Sequence, residues 1–475
     1  MGNTSNVPSG SDSGYSSLRL EGPPDSLVMI ANRSYHYYAG NSYLGLQSHP
    51  GVLAATCEAT LRYGTGTGTT RFALTAPPVL EVEELAAKYL RSERAFYYGS
   101  EHLGSQILLE TLETTFDRIF IDEAADKGIF QAVKSCALHS RPVVFRHNDP
   151  DNLRLELRKH LKPSERPLVV TNGVFAMTGK IAPLDRYAMV LSPMDGASLL
   201  VDDSHGFGVL GPYGRGVFEH FGLKASYINR TIQDTNNMFD FDMHAHAQSE
   251  MSFDDQTPDI LGERADLDDF ESGFATDHEY DIANSRHFSN RTNFRSNNHN
   301  SQPTYPAKAD PSIMDRLPVR YYHAAAMTKA IGGSGGIIAG SDLFIEHLIE
   351  RSGAFGNMAA PSSPLAAGTA EGLTTAFRTD ELRRRLRKNT HYIKKKFSDM
   401  GFPIDSSDVP IIPITLGTAG NMRRMQQRLS ERGILIAYIP RGPGLPPDGT
   451  LRITIFATHT PEMLDHLAEQ FEQTL

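Results

Sequence analysis

The sequence predicts an α/β protein whose large domain has a mostly parallel sheet and whose C-terminal domain is smaller. Two observations carry this prediction. From about residue 35 to residue 222, short apolar runs alternate with amphipathic stretches, as expected when helices cover both faces of a parallel sheet. The chain also has 475 residues, 40% of them hydrophobic, which is enough for one large core or two domains of ordinary size.

The predicted strands are short and apolar, and the predicted helices repeat their apolar residues at helical spacing. The strands of the large domain are Ala95–Tyr98, Arg118–Ile121, Pro142–Phe145, Pro167–Thr171, Ser198–Val201, Arg320–Ala325 and Gly336–Ala339. Its helices include Asn152–Leu161 and Leu343–Arg351. The C-terminal domain comprises Glu381–Met400, Pro410–Leu416, Asn421–Arg432, Leu451–Phe456 and Pro461–Leu475. We interpret the many Lys and Arg residues of the first of these helices as a solvated face.

Changes of composition divide the chain. We predict a flexible N-terminal segment over residues 1–34, a large domain in two parts over 35–229 and 312–375, and a small domain over 376–475. Residues 230–311 are rich in Asp, Asn, Ser and His and have no sustained period. Such a composition cannot bury enough apolar surface to offset its ordering entropy, which predicts a disordered acidic insertion. Its five histidines are irregularly spaced, so we expect no metal site there.

Charge and cysteine usage narrow the function classes. The net charge is −10, but residues 231–300 contain 15 Asp and Glu against 4 Arg, a net of −11, which leaves about +1 for the rest. This balance does not indicate a nucleic-acid surface. No apolar run is long enough for a membrane span, and Met1–Pro24 is polar, so we expect a cytoplasmic protein. Cys57 and Cys136 form neither a disulfide framework nor a metal set, and we expect two buried thiols.

The first candidate for chemistry is the lysine in the run Met327–Gly336, which reads MTKAIGGSGG. Lys329 follows an apolar, strand-like stretch and precedes a glycine-rich turn, and doubly wound folds place ligands at such strand ends. A lysine held neutral there can form an imine with an aldehyde cofactor. The alternative is a surface lysine beside a flexible turn.

The second candidate is the run Leu199–Gly211, where Asp202 and His205 emerge at the end of a buried strand. Pyridoxal phosphate (PLP) chemistry needs an acid that keeps the pyridine nitrogen protonated and benefits from a donor to the phenolate oxygen. An aspartate with a histidine three residues later can reach both. A strand-end aspartate that caps a turn is the alternative.

Two weaker candidates are a turn and an arginine. The turn-rich run Tyr63–Arg71 offers backbone amides and hydroxyls to an anion, but it matches no established phosphate fingerprint. Arg452 lies in an apolar strand-like context and could hold a carboxylate, or pack its stem at an edge.

Taken in chain order, these segments resemble the α-oxoamine synthase family of fold-type I PLP-dependent enzymes. The resemblance runs from about Ala39 to Leu223 and from about Val319 to Leu475. The matching motifs are Asn41–Leu46, Tyr63–Gly66, Phe145–Asp149, Val201–Gly211, Gly214–Gly216 and Thr328–Gly336. Six ordered matches are far more specific than any single one. The run from Ile436 to Thr450 looks closest to the 8-amino-7-oxononanoate synthase branch, which acts on alanine and a pimeloyl thioester.

The resemblance implies the PLP-dependent transferase fold type I, a homodimer, and condensation of an amino acid with an acyl thioester with loss of carbon dioxide. The acyl donor would be a thioester of coenzyme A or of a carrier protein. Lys329 would form the internal aldimine and act as acid and base at the α-carbon. The other implied contacts are Asp202 to the pyridine nitrogen, His205 to the phenolate oxygen, Asn41 and Arg452 to the substrate carboxylate, and Gly99, Ser100, Thr328 and Asp126 to the cofactor.

The departures from the family pattern leave alternatives open. Asp126 stands where the family stacks a histidine on the cofactor ring, and a carboxylate cannot stack as an imidazole does. The run Thr171–Gly179 lacks the Glu, Ser and Asp of the family, Ala326 replaces a hydroxyl, and the turn at Gly99–His102 is altered. Other PLP chemistry, such as glycine C-acetyl transfer or transamination, and a degenerate non-catalytic subunit therefore remain the competing interpretations.

Overall fold

The computed structural model describes residues 19–136, 141–231 and 313–475. These residues belong to one compact unit. The prediction of a disordered insertion over residues 230–311 lies, apart from Arg230 and Thr231, outside the described residues.

An N-terminal hairpin opens the described part of the chain. Strand β1 (Leu27–Ile30) pairs antiparallel with β2 (Arg33–Tyr37) through a turn at Ala31 and Asn32, whose φ angles are 51° and 61°. On its other side, β2 pairs in parallel with residues 434–435. The predicted flexible segment over residues 1–34 is therefore wrong for this hairpin, because its backbone is hydrogen-bonded on both sides of β2.

A seven-stranded sheet forms the centre of the protein. Its strands are β3 (Arg94–Tyr98), β4 (Arg118–Asp122), β5 (Val143–Phe145), β6 (Pro167–Asn172), β7 (Ser198–Asp202), β8 (Arg320–Ala326) and β9 (Gly336–Gly340). The order is β3-β9-β8-β7-β6-β4-β5, and β9 alone of the seven runs antiparallel to its neighbours. Both faces of β6 and β9 are fully buried, which explains the apolar runs Leu168–Val170 and Ile337–Ala339 within them. The predicted fold class is confirmed.

Helices cover this sheet and build the C-terminal part. They are α1 (Pro50–Tyr63), α2 (Pro77–Leu90), α3 (Gly104–Leu112), α4 (Lys127–Ser135), α5 (Pro150–His160), α6 (Leu184–Leu191), α7 (Val217–His220), α8 (Asp342–Arg351), α9 (Ser363–Arg378), α10 (Glu381–Asp399), α11 (Ala419–Glu431) and α12 (Pro461–Glu472). Local sequence sets several starts: Asp149 caps α5 by accepting a hydrogen bond from the amide of Asn152, and Thr460 caps α12 in the same way. Both caps precede a proline at the first helical position.

The C-terminal part has its own sheet and its own hydrophobic cluster. Strands β10 (Ile411–Ile414), β12 (Ala437–Ile439) and β13 (Thr450–Thr454) form an antiparallel sheet, and β11 (Ile434–Leu435) joins the N-terminal hairpin. The predicted domain boundary at residue 376 falls inside α9, which continues to Arg378. This helix packs against α1 and α2.

Two further sequence expectations need correction. Cys57 is exposed on α1 and Cys136 is half-buried, so the pair are not two buried thiols. The basic face of α10 is not wholly solvated either: Arg383 and Lys394 are buried, and Lys394 Nζ donates a hydrogen bond to Asp405 at 2.8 Å. In the three described ranges, no helix is long and apolar enough to cross a membrane.

Candidate active site

Polar side chains collect at the carboxyl edge of the central sheet. Asn172 ends β6 and Asp202 ends β7, and the two face each other in the register of the paired strands. Lys329 follows β8 by three residues and Asp126 follows β4 by four. Because β3 runs parallel to β8, Glu101 of the segment after β3 comes to the same edge. Doubly wound sheets bind their ligands at this edge.

Lys329 is a buried lysine in contact with a carboxylate. Its side chain is 10% exposed, and Nζ donates a hydrogen bond to Oε2 of Glu101 at 3.0 Å. The hydroxyl of Thr328 donates to the same oxygen. Burial raises the pKa of Glu101, but the Lys329 ammonium and the hydrogen bond from Thr328 outweigh it, and the pKa is lowered overall. The alternative of a surface lysine beside a flexible turn is therefore wrong.

The glycine-rich turn after Lys329 is fixed by close packing against β3. Gly335 has a φ of 71°, and a Cβ there would lie 2.1 Å from the carbonyl oxygen of Tyr98. The turn is also closed by backbone hydrogen bonds, including one from the Gly333 amide to the carbonyl of Met327 at 2.9 Å. The glycines thus allow β9 to pass directly beside β3, which holds Lys329 in place.

His205 is buried and lies in contact with a tyrosine that the sequence analysis did not single out. The hydroxyl of Tyr43 lies 2.6 Å from Nδ1 of His205. Burial, together with the charges of Lys329 and Arg452, lowers the pKa of His205 well below its usual range, so its imidazole is neutral. Burial raises the pKa of Tyr43 to about 12, so its phenol keeps its proton. We assign the phenol as the donor to Nδ1, which places the ring proton of His205 on Nε2.

Arg452 and Asn41 meet although they are distant in sequence. Nη2 of Arg452 donates to Oδ1 of Asn41 at 2.6 Å, and Nε donates to the carbonyl oxygen of Ala176 at 2.8 Å. The charge of Arg452 also opposes part of the pKa rise of Tyr43, which contacts His205. A buried guanidinium with a directed fork is suited to bind a carboxylate.

Asp202 and Asp203 have separate roles. Oδ1 of Asp202 accepts hydrogen bonds from the amide and the hydroxyl of Ser204, at 3.0 and 2.5 Å. Capping of the turn, the alternative for this residue, is thus observed. Asp203 is fully buried, accepts from the amide of Val217 at 2.7 Å and lies 3.3 Å from Nε2 of His323. Burial raises the pKa of Asp203, and its contacts are structural.

Asp126 and Asn172 form a pair between two strand ends. The Asn172 side-chain amide donates to Oδ2 of Asp126 at 2.9 Å, and the Asp126 backbone amide donates to Oδ1 of Asn172 at 3.0 Å. Burial and the charge of Asp202 raise the pKa of Asp126 to about 6. Both residues differ from those of the family pattern, and in the structure they contact each other.

A cavity of about 310 Å³ opens beside Lys329. It is lined by Pro24, Tyr37, Gly40, Asn41, Ser42, Gln47, Glu101, Thr328 and Lys329. The lysine amine and the side chain of Asn41 therefore face one space. Gly99 and Ser100, at the end of β3, are exposed and adjoin Glu101 in sequence.

Some sequence candidates lie elsewhere or were missed. Arg71 of the turn-rich run is committed to a bidentate ion pair with Glu83, at 2.6 and 2.9 Å, and anchors that loop. Glu101 was expected only as part of an altered turn, and its contact with Lys329 was not predicted. Tyr43 lies in the motif Asn41–Leu46, and its place in that motif could have identified it as a site residue. In the described ranges, no cluster of three or more His, Cys, Asp or Glu could hold a metal ion.

Known proteins match the same two parts of the chain. The family model for aminotransferase class I and II matches residues 39–227 and 316–471. Two relatives are the 8-amino-7-oxononanoate synthase of Alkaliphilus metalliredigens, 26% identical over 96% of this chain and 91% of that protein, and 8-amino-7-oxononanoate synthase 1 of Bacillus subtilis, 25% identical over 96% and 92%. The predicted resemblance to α-oxoamine synthases is confirmed.

Solved structures agree with the fold. A serine palmitoyltransferase from S. paucimobilis, solved with a PLP–myriocin aldimine, aligns with a TM-score of 0.70 and 20% identity over 96% of this chain and 91% of that one. The 8-amino-7-oxononanoate synthase from Francisella tularensis aligns with a TM-score of 0.61 and 17% identity over 92% and 96%. At these identities the likeness shows the fold.

Proposed function

The chain belongs to the aminotransferase class I and II family, and from this premise we propose that it is a PLP-dependent α-oxoamine synthase. The proposed reaction condenses an amino acid with an acyl thioester and releases carbon dioxide and a thiol. The observation that carries the proposal is the buried Lys329 at the carboxyl edge of the sheet, together with Asp202 and His205. The relatives' names favour alanine and a pimeloyl thioester as substrates.

The residues present fit the cofactor at its reactive end. Lys329 supplies a buried amine that faces a cavity of about 310 Å³. Asp202 would supply a carboxylate for the pyridine nitrogen, and neutral His205 would offer its Nε2 proton to the phenolate oxygen. Gly99, Ser100 and Thr328 are proposed to lie at the phosphate, and Asp126 at the face of the ring. When bound, PLP supplies an electron sink for the negative charge that develops at the α-carbon.

The remaining residues bind and orient the amino acid. Arg452 and Asn41 form a charged, hydrogen-bonding pair that would receive the substrate carboxylate. Lys329 would remove the α-proton and later return a proton to the same carbon, because it is the one base that the proposal places at that atom. The new carbon–carbon bond forms between this α-carbon and the thioester carbonyl, from which the thiol leaves, and the carboxylate of the amino acid leaves as carbon dioxide.

We also propose that the protein works as a cytoplasmic homodimer. Large apolar side chains are exposed around α1 and α2, with Leu61, Phe72 and Leu74 exposed by 91%, 81% and 71%. Several large exposed apolar side chains within one stretch of the chain favour an interface between subunits. Size-exclusion chromatography with light scattering should give twice the mass of the 52.4 kDa chain.

The reaction is tested by thiol release from purified protein with added PLP. L-alanine, glycine and L-serine should each be paired with pimeloyl-CoA, acetyl-CoA and a pimeloyl carrier protein. We expect release with alanine and a pimeloyl donor, and loss of that release in Lys329→Ala. Lys127→Ala changes an exposed lysine at the start of α4 and is the matched control. Absence of release with every pair would refute the synthase proposal.

A second candidate function is a non-catalytic subunit, and one observation favours it. Asp126 replaces the imidazole that the family stacks on the cofactor, and it is engaged by Asn172 instead. A non-catalytic subunit would release no thiol alone and would bind an active partner chain. Activity of the purified chain by itself would exclude this candidate.

A further inference from the structure

Glu101 occupies an unusual place for a carboxylate. It lies in a short 3₁₀ helix, Glu101–Leu103, between β3 and α3, and its side chain is 21% exposed. One oxygen, Oε2, receives both the amine of Lys329 and the hydroxyl of Thr328. A carboxylate here directly contacts the amine that must react with an aldehyde, so it affects that chemistry.

The contact favours the ammonium form of the lysine. Opposite charges 3.0 Å apart in a largely buried site stabilise each other more than they do in water. The nucleophile in imine formation is the neutral amine, since the ammonium has no lone pair. An ion pair with Glu101 therefore opposes attack until the proton is removed.

We propose that Glu101 is the counter-ion of Lys329 and a positioning residue that controls when the lysine can react with an aldehyde. The ion pair holds the Lys329 nitrogen as an ammonium, which must first release one proton to water. The neutral nitrogen then attacks the aldehyde carbon, its two remaining hydrogens leave with the aldehyde oxygen as water, and a carbon–nitrogen double bond forms. This inference rests on the proposed function because it assumes that Lys329 is the cofactor lysine.

Other charged groups also face Lys329, but they lie outside direct contact. Asp126 and His205 interact with it through space, and His102 faces both Glu101 and Asp126. Asp126 is already held by Asn172, and neutral His205 by Tyr43. Among these groups, Glu101 is the one whose carboxylate oxygen meets Nζ within hydrogen-bond distance.

The first test needs no cofactor. Protein freed of bound PLP is acetylated with a limiting amount of acetic anhydride over a range of pH, and labelling of Lys329 is measured by mass spectrometry. In Glu101→Gln, labelling of Lys329 at neutral pH should rise about tenfold, and its profile against pH should move to lower pH. Glu113→Gln removes an exposed carboxylate from the end of α3 and should leave labelling unchanged. Unchanged labelling of Lys329 in folded Glu101→Gln would overturn the proposal.

A second variant and a second readout keep the proposal separate from the proposed function. Glu101→Ala removes the same charge and should give an increase in the same direction, and circular dichroism verifies that each variant is folded. With PLP added, the pH range over which the visible absorption band forms should also move to lower pH in Glu101→Gln. A labelling change without any absorption band would support the ion pair and refute the cofactor role of Lys329, whereas a band with unchanged labelling would do the reverse.

Discussion

Asp126 gives the sharpest stability prediction. Its carboxyl is largely buried beside Asp202, which raises its pKa from 3.8 to about 6. Because the folded pKa lies above the unfolded one, stability falls as pH rises from about 4 to 6, and the cost is fully present above that window. At about 1.4 kcal/mol per pH unit, this cost is about 3 kcal/mol at pH 8 and about half of that at pH 5.

The substitution Asp126→Asn removes that cost and keeps the pair. The side-chain oxygen of the introduced Asn can still accept a hydrogen bond from the Asn172 amide, which in the wild type donates to Oδ2 of Asp126. Urea unfolding of the PLP-free protein at pH 8 should therefore show a gain of about 3 kcal/mol, falling by about half at pH 5. Asp195→Asn, an exposed carboxylate, is the control and should give no pH-dependent gain. An Asp126→Asn protein that is no more stable than the wild type at pH 8 would refute the reasoning.

Three further predictions concern hydrogen bonds. Tyr43→Phe leaves Nδ1 of His205 buried without its 2.6 Å partner and should lower kcat about tenfold, measured as thiol release. Arg452→Met removes the proposed carboxylate contact and should raise KM for the amino acid about 10- to 100-fold, while a KM within twofold of wild type would contradict that role. Asn229→Ala breaks three buried hydrogen bonds to the backbones of His323 and Ala339 and should lower the free energy of unfolding by about 3 kcal/mol, measured by urea denaturation.

The central sheet was predictable because its strands, apart from the edge strand β5, are largely buried on both faces. The run Ser198–Val201 was predicted as a strand, and β7 spans Ser198–Asp202. Apolar composition is a local signal, so it predicts a strand without knowledge of which strands lie beside it. The hairpin β1–β2 was missed because its burial is mixed and because its second strand pairs with β11, about 400 residues along the chain.

The sequence predicted individual residues of the candidate site but not the contacts between them. Motifs indicated Lys329 and Asp202 one at a time, but no local pattern tells that Glu101, 228 positions earlier, meets the lysine. The pairing of Asp126 with Asn172 likewise depends on the neighbouring positions of β4 and β6 in the sheet. Such contacts arise from strand order, which composition and spacing do not encode.

The central claim is that Lys329 carries PLP, and the visible absorption spectrum of the purified protein with added PLP tests it most directly. Wild type, Lys329→Ala and the control Lys127→Ala should be compared at one pH. The account predicts an absorption band of lysine-linked cofactor in the wild type and in Lys127→Ala, and its loss in Lys329→Ala. A wild-type spectrum without this band, or a band that persists in Lys329→Ala, would contradict the account.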